Sequence, residues 1–337
     1  MKLSVLRGQH TSAWLGHDMN NSPRIIYIGA PEADASEFEV LARAEWPQIN
    51  LLATNDRDVA LNQACTANAL IGHHFQFDET IVAKATQLRW IQSLTTGTDA
   101  IVKLKALNPH VQVTSTRGMH GPQMSELVFM HMLNLTRDML RMLQNQANAT
   151  WDRWPQPLLW GKTVVIVGVG AISEALALRC KAFGMTVVGV SGSNRLPEGF
   201  DAIYMRSEIT LAASKADYLV LVVPLSPETE NLVDSNVLAA LPAHAYLVNV
   251  ARGGVLDENA LLRALRSKKI AGAALDVFRQ QPLPADHVLW REPNVLISPL
   301  LGGMSNVYLE QAWPIVRVNI NHFLANKPEA MSNIVIR

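Results

Sequence analysis

Residues 163–173 read Thr-Val-Val-Ile-Val-Gly168-Val-Gly170-Ala171-Ile172-Ser173, an apolar run opening into Gly-x-Gly-x-x-Ser and then a segment of helical composition over 174–183. Gly168 allows a tight turn, Gly170 lets backbone approach a pyrophosphate, and the helix start offers free N–H donors and a positive dipole end. Between a strand and a helix, with a second strand following, this pattern points to dinucleotide binding; the alternative is a purely structural turn. Ser173 replaces the usual third glycine but is small enough for close helix–strand packing. After the second strand an NAD site usually carries a carboxylate for the ribose 2′-hydroxyl. Here the chain runs Ser191-Gly192-Ser193-Asn194-Arg195. No carboxylate is present to repel a 2′-phosphate, and Ser193 and Arg195 could donate to one. NADP(H) is therefore the expected preference, with NAD(H) possible; the alternative makes Arg195 a solvated loop residue and admits either cofactor.

These residues need elements to hold them. Short β-rich runs alternate with longer amphipathic ones along nearly the whole chain, as in parallel sheets built from strand–helix–strand units. Strands are predicted at 25–28, 51–54, 69–71, 90–93 and 111–114, and a second series at 163–167, 186–190, 218–223, 246–249, 273–276 and 295–298. The six later strands are apolar on both faces, which indicates a doubly wound sheet. Between the series, 121–151 reads as one long connecting helix, with Pro122 in its first turn and Leu127, Met130, Leu133, Met139 and Leu143 at helical spacing. The tail from Ser305 is amphipathic and predicts a helix that starts or bends near Pro314.

Composition narrows the chemistry. With 337 residues, 49% of them apolar and 17% charged, two domains with large cores are expected and a disordered chain is excluded. Lys plus Arg equals Asp plus Glu at 29 each, so no net field favours nucleic acid or anionic membranes. Two cysteines, Cys65 and Cys180, give neither a disulfide framework nor zinc-ligand spacing, and no metal is expected. The first twenty residues carry Arg7, His10, His17 and Asp18, and the longest apolar run, 219–225, is far short of the ~20 residues of a membrane span. A cytoplasmic protein without membrane or nucleic-acid partners is expected.

Several spaced segments, in order, carry a family resemblance. They are Leu247-Val-Asn249-Val250-Ala251-Arg252-Gly253-Gly254-Val-Leu-Asp257, then Ala271-Gly-Ala-Ala-Leu-Asp276-Val-Phe278, then Asn294-Val-Leu-Ile-Ser-Pro299. Leu88-Arg-Trp-Ile-Gln-Ser93 with Gly97 and Asp99, and Arg117-Gly-Met-His120-Gly121, extend the match over residues 65–313. The chain resembles the D-isomer-specific 2-hydroxyacid dehydrogenases, in their glyoxylate/hydroxypyruvate reductase-like branch. The resemblance implies an α/β protein of two Rossmann-like, doubly wound parallel-sheet domains flanking a cleft. Residues 1–118 with 305–337 would form a flavodoxin-like substrate domain, and 119–304 the NAD(P)-binding Rossmann domain. It implies that Arg252 clamps a 2-oxo acid, a task suited to a permanently charged planar fork. Backbone N–H groups of Thr96, Gly97 and Thr98 would hold the carboxylate, with Gly72 nearby. Val223 and Pro224, with Val250, Ala251 and Gly302, would border the cofactor, and Asp276 would sit near the nicotinamide carboxamide. Arg252 as a surface or capping residue, and Asp276 as a structural one, are the alternatives. The Met-bearing face of 121–151 (Met124, Met130, Met132, Met139, Met142) resembles the family's dimerisation arm, implying a homodimer; core packing is the alternative.

The family's proton relay is a Glu before a proline and a His after Ser/Thr-Pro. In this chain Gln281 precedes Pro282 and Leu300 follows Pro299. The two changes are coherent, because a buried Glu without its imidazolium partner would be an unpaired charge whereas Gln is neutral. A general acid is worth ~10² to 10⁴ in rate, so turnover needs another donor. Candidates are His120, His73 or His74 beside Gly72, or a water ordered by Arg252 and Gln281; for each histidine a hinge or surface role is the alternative. Three functions follow: an NADP(H)-linked reductase of 2-oxo acids or related carbonyls, a hydride-only formate-type dehydrogenase, or a sensor that binds the cofactor without turnover, as the resemblance extends to C-terminal-binding-protein corepressors.

Overall fold

A computed structural model describes residues 22–335; the stretch with Arg7, His10, His17 and Asp18 lies outside the described residues. The chain divides into two compact units, Met1–Thr116 with Val307–Arg337, and Arg117–Asn306. Among its described residues the first holds five parallel strands, β1 (Ile25–Ile28), β2 (Leu51–Thr54), β3 (Ala69–Gly72), β4 (Trp90–Ser93) and β5 (Gln112–Thr114), in the order β2-β1-β3-β4-β5. That is the flavodoxin-like order. Strand residues alternate between two buried faces. Ile26, Ile28, Leu70, Ile91 and Val113 belong to one core. On the other face Trp90 meets Phe323, and Phe38, stacked on Tyr27, meets Trp313 edge-on. Phe323 and Trp313 come from the Tyr308–Leu324 helix, which runs through Pro314 uninterrupted.

That helix is locked to the sheet by a buried polar network. Trp90 Nε1 donates to Thr114 Oγ1 (2.9 Å), Thr114 donates to Gln92 Oε1 (2.8 Å), and Asn319 Nδ2 donates to the same oxygen (2.7 Å). Asn319 Oδ1 in turn accepts from Ser332 N (2.6 Å), which fixes the segment after the helix. Every member has its partner, the condition under which a buried polar network specifies one arrangement.

The second unit holds seven parallel strands: β6 (Thr163–Val167), β7 (Thr186–Ser191), β8 (Ala202–Met205), β9 (Tyr218–Leu221), β10 (Tyr246–Asn249), β11 (Gly272–Leu275) and β12 (Val295–Ile297). Their order is β12-β11-β10-β9-β6-β7-β8. Val165, Val167, Leu219 and Leu221 enter the core on one face, and Val164, Ile166, Tyr218 and Val220 that on the other. The doubly wound reading holds, but seven strands replace the expected six. β8 escapes sequence reading because it is four half-buried residues on a sheet edge, ordered by Asp201, whose carboxylate accepts from Val187 N (2.7 Å).

A second correction concerns 121–151. Instead of one helix there are two, Gly121–Thr136 and Met139–Ala147, broken where Asp138 takes a left-handed backbone (φ 53°). That conformation ends a helix, and Asp is among the few side chains that tolerate it. The segment after the second helix fastens the break: Arg137 donates to Gln156 (2.7 Å), Arg141 pairs with Asp152 (2.5 Å), and the Arg141 guanidinium lies 4.1 Å over the Trp154 ring. The Met face divides accordingly. Met124 and Met132 are buried in the core, Met130 is exposed, and Met139 and Met142 are half-buried on a helix that buries no residue. Among the described residues no helix is long and apolar enough to cross a membrane.

Candidate active site

In the seven-stranded sheet β6 lies beside β9, and the chain builds outward from this pair in opposite directions. Such a switch point leaves a crevice at the carboxyl ends of the strands. Gly168 ends β6 there with φ +101°, and a Cβ on it would stand 2.8 Å from both N and Cα of Val223. Only glycine lets the loop close against the turn after β9. Gly170 N–H donates to Ser173 Oγ (2.6 Å), and the Ser173 hydroxyl donates to Gly170 O (2.8 Å). The serine thus closes the turn from a buried position. Above Gly170 no heavy atom lies within 4 Å of where a Cβ would point. This open cradle at the start of the Ala171–Ala182 helix, with Ala171 and Ile172 in its first turn, suits a pyrophosphate.

A pocket opens beside the loop, lined by Gly168, Ser191, Val223 and Pro224. Arg206, Ser226, Thr229 and Leu232 also line it and were not foreseen. Arg195 is placed otherwise: its guanidinium pairs with Glu174, and its side chain is 58% exposed. Ser193 N–H donates to Ser191 Oγ (3.2 Å), which shapes the loop after β7.

At the far strands, Arg252 follows β10. The side chain of Asn249 forms its turn, accepting from Ala251 N (3.0 Å) and donating to Arg252 O (3.2 Å). Arg252 Nη1 donates to Ala251 O (2.7 Å), and Val250 and Ala251 are buried beneath. A Cβ on Gly253 would fall 2.0 Å from Phe278 C, so this glycine brings the Arg252 loop against the backbone after β11. The Asp276 carboxylate is fully engaged. It accepts from Ser298 Oγ (2.5 Å), Leu301 N (2.8 Å) and Gly302 N (3.0 Å), and His131 Nε2 lies 3.0 Å from Ser298 Oγ. Burial lowers the His131 pKa against the pull of Asp276. Sequence reading missed His131, which lies inside an apolar helical run. Leu300 takes φ +59° with its N–H donating to Asp276 O (3.0 Å), and is 49% exposed. Gln281 is exposed. His120 is buried at the start of the Gly121–Thr136 helix, and burial pushes its pKa down to about 4. The ring is neutral at pH 7, which weighs against service as an acid.

In the first unit, the carboxyl ends of β3 and β4 lie side by side, with Leu94 N–H donating to Gly72 O (2.8 Å). His74 Nδ1 lies 3.1 Å from Thr95 Oγ1, which lies 2.8 Å from Ser93 Oγ and donates to Gly97 O (2.9 Å). The loop with Thr96, Gly97 and Thr98 is thereby tied to that of Gly72 and His74. His73 is buried 3.2 Å from Glu32. Among the described residues no group of three or more His, Cys, Asp or Glu could hold a metal.

Two parallel doubly wound sheets, one with a glycine loop at its switch point, are the architecture of a dinucleotide-binding class. Residues 129–302 match the D-isomer specific 2-hydroxyacid dehydrogenase, NAD binding domain. A glyoxylate reductase of Thermococcus litoralis is 32% identical over 273 residues, covering 77% of this chain and 80% of that one. A D-3-phosphoglycerate dehydrogenase of Methanocaldococcus jannaschii is 30% identical over 259 residues, 76% of this chain; the match spans 49% of that relative's length. A solved D-isomer specific 2-hydroxyacid dehydrogenase family protein from Aeromonas salmonicida superposes with a TM-score of 0.86 at 32% identity, over 94% of this chain and 99% of that one. The chain belongs to the D-isomer specific 2-hydroxyacid dehydrogenase family, and its second unit contains the family's NAD-binding domain.

Proposed function

We propose that this protein is an NADP(H)-linked reductase of 2-oxo acids or related carbonyls, with the first unit as substrate domain. The observation that carries this reading is Arg252, held at the end of β10 by Asn249 and Gly253 in the same unit as the glycine loop. A bound nicotinamide supplies the hydride. Arg252 grips the 2-oxo acid with its planar fork, and the N–H groups of Thr96, Gly97 and Thr98 hold the carboxylate. Val223, Pro224, Val250, Ala251 and Gly302 border the cofactor. Absence of a carboxylate over 191–195 supports NADP(H). With Gln281 and Leu300 at the relay positions and His120 neutral, His74, tied through Thr95 to the carboxylate loop, is the better supported proton donor.

A homodimer is supported by exposed Leu140, Leu143, Trp151 and Trp160 on and after the Met139–Ala147 helix. A reducing, cytoplasmic setting fits Cys65 and Cys180 as free thiols, the latter pushed up to about 12 by burial. Gln281 and Leu300, neither able to titrate, favour one second reading, a cofactor-binding sensor without turnover.

Purified protein with NADPH or NADH and a panel of 2-oxo acids, followed by nicotinamide absorbance, separates the two. Turnover with NADPH preferred is expected. Tight cofactor binding with no turnover on any substrate refutes the reductase. Leu300→His combined with Gln281→Glu is expected to raise glyoxylate or hydroxypyruvate reduction, by less than the ~10² to 10⁴ of a general acid because His74 already donates; in a His74→Gln background the gain should approach that range.

A further inference from the structure

The residue expected from sequence to meet a 2′-phosphate, Arg195, is paired with Glu174 instead. A different guanidinium stands at the pocket. β8 pairs parallel with β7 in the register Ser191↔Met205, so the next residue, Arg206, emerges at the carboxyl end of β7 beside the loop that follows it. Its Nη2 lies 3.5 Å from where a Cβ on Gly192 would stand. That is ordinary contact distance, so the guanidinium lies directly against this loop. Arg206 is half-buried and lines the pocket together with Gly168, Ser191 and Gly192, with Ser226 and Thr229 also on its wall. The nearby carboxylate, Glu228, accepts from the Ser226 hydroxyl (2.6 Å) and also feels the Arg206 charge, which helps lower its pKa, so a phosphate would share this guanidinium with it.

The residue after the second strand of a dinucleotide sheet is where the adenosine ribose is read. We propose that Arg206, carried there by the edge strand β8, grips the 2′-phosphate of NADP(H), with the Ser191 hydroxyl as a second donor, while Arg195 serves Glu174. The proposal deepens the cofactor reading above and rests on it. A guanidinium fork matches phosphate oxygens bidentately, and such charge-assisted bonds are the strong ones. Partial burial at the pocket wall lowers the solvent screening of that attraction relative to the exposed Arg195.

Calorimetric titration of the full chain with 2′,5′-ADP, 5′-AMP, NADPH and NADH tests it, using the wild type, Arg206→Gln, Arg206→Lys and Arg195→Gln. The wild type is expected to bind 2′,5′-ADP more tightly than 5′-AMP. Arg206→Gln should weaken 2′,5′-ADP and NADPH by about 10- to 100-fold, with 5′-AMP and NADH shifting less than about two-fold, which also reports an intact fold. Arg206→Lys should recover part of the loss, and Arg195→Gln should fall well short of it. If the wild type discriminates but Arg206→Gln retains the discrimination, the assignment to Arg206 is overturned and NADP(H) preference stands. If the wild type does not discriminate, both are overturned. If the contrast appears in a protein that turns over no 2-oxo acid, the assignment stands and the reductase reading alone fails.

Discussion

His120 offers a quantitative test because it is a buried imidazole shifted far from its ordinary pKa. The ring is buried at the head of the Gly121–Thr136 helix, and burial takes its pKa from 6.5 to about 4. Below pH 6.5 the unfolded chain takes up a proton that the folded chain refuses. Stability is therefore fully present above 6.5, falls as the pH drops towards 4, and levels off below it. Each pKa unit corresponds to about 1.36 kcal/mol, so the whole interval costs about 3 kcal/mol, and the part between pH 7 and pH 5 about 2 kcal/mol. His120→Gln keeps a polar side chain of similar size but cannot titrate. Urea unfolding of both proteins at pH 7, 6 and 5, followed by fluorescence and circular dichroism together, reads the difference. Whatever the variant costs at pH 7, the wild type should lose about 2 kcal/mol more than the variant by pH 5. His131, also lowered by burial, drives both proteins the same way and drops out of the comparison. Parallel curves would refute the reasoning. They would mean that His120 is protonated as readily in the fold as outside it, and would restore it as a candidate acid.

Two further outcomes follow from particular contacts. Gly168→Ala places a Cβ 2.8 Å from the Val223 backbone at φ +101°, so the loop must shift; NADPH affinity measured by calorimetry should fall more than about ten-fold with little change in secondary structure. Asn319→Leu strips partners from Gln92 and Ser332 inside the first unit and should cost about 3 kcal/mol, seen as a lowered urea midpoint at unchanged slope; a loss under about 1 kcal/mol would show that this network does not hold the C-terminal helix.

Much of the architecture was legible because its signals are local. Parallel strands buried on both faces, such as Thr163–Val167 and Tyr218–Leu221, are short runs of Val, Leu and Ile that periodicity detects. The glycine loop was legible for the same reason, since turn, backbone approach and helix start lie within a few consecutive residues. Boundaries set by long-range contacts were not. The break at Asp138 is fastened by Gln156, Asp152 and Trp154, and nothing in the periodicity of 121–151 announces it. Strand β8 exists because Asp201 and the edge of β7 order four residues that have no alternation of their own.

The candidate site divides along the same line. Sequence alone determined that a Gly-x-Gly-x-x-Ser turn lies between a strand and a helix, that no carboxylate follows the second strand, and that Gln281 and Leu300 occupy the two positions next to prolines, because residue identity at fixed spacing is all these statements require. Only the tertiary structure decided which charges are available there. It gave Arg195 to Glu174, brought Arg206 to the pocket wall, and committed Asp276 to the turn after β12. The physical reason is that a guanidinium or carboxylate is claimed by whichever partner the fold brings within hydrogen-bond reach. That partner lies 21 residues away in sequence for Arg195 and Glu174 and 26 for Asp276 and Gly302, where spacing carries no information.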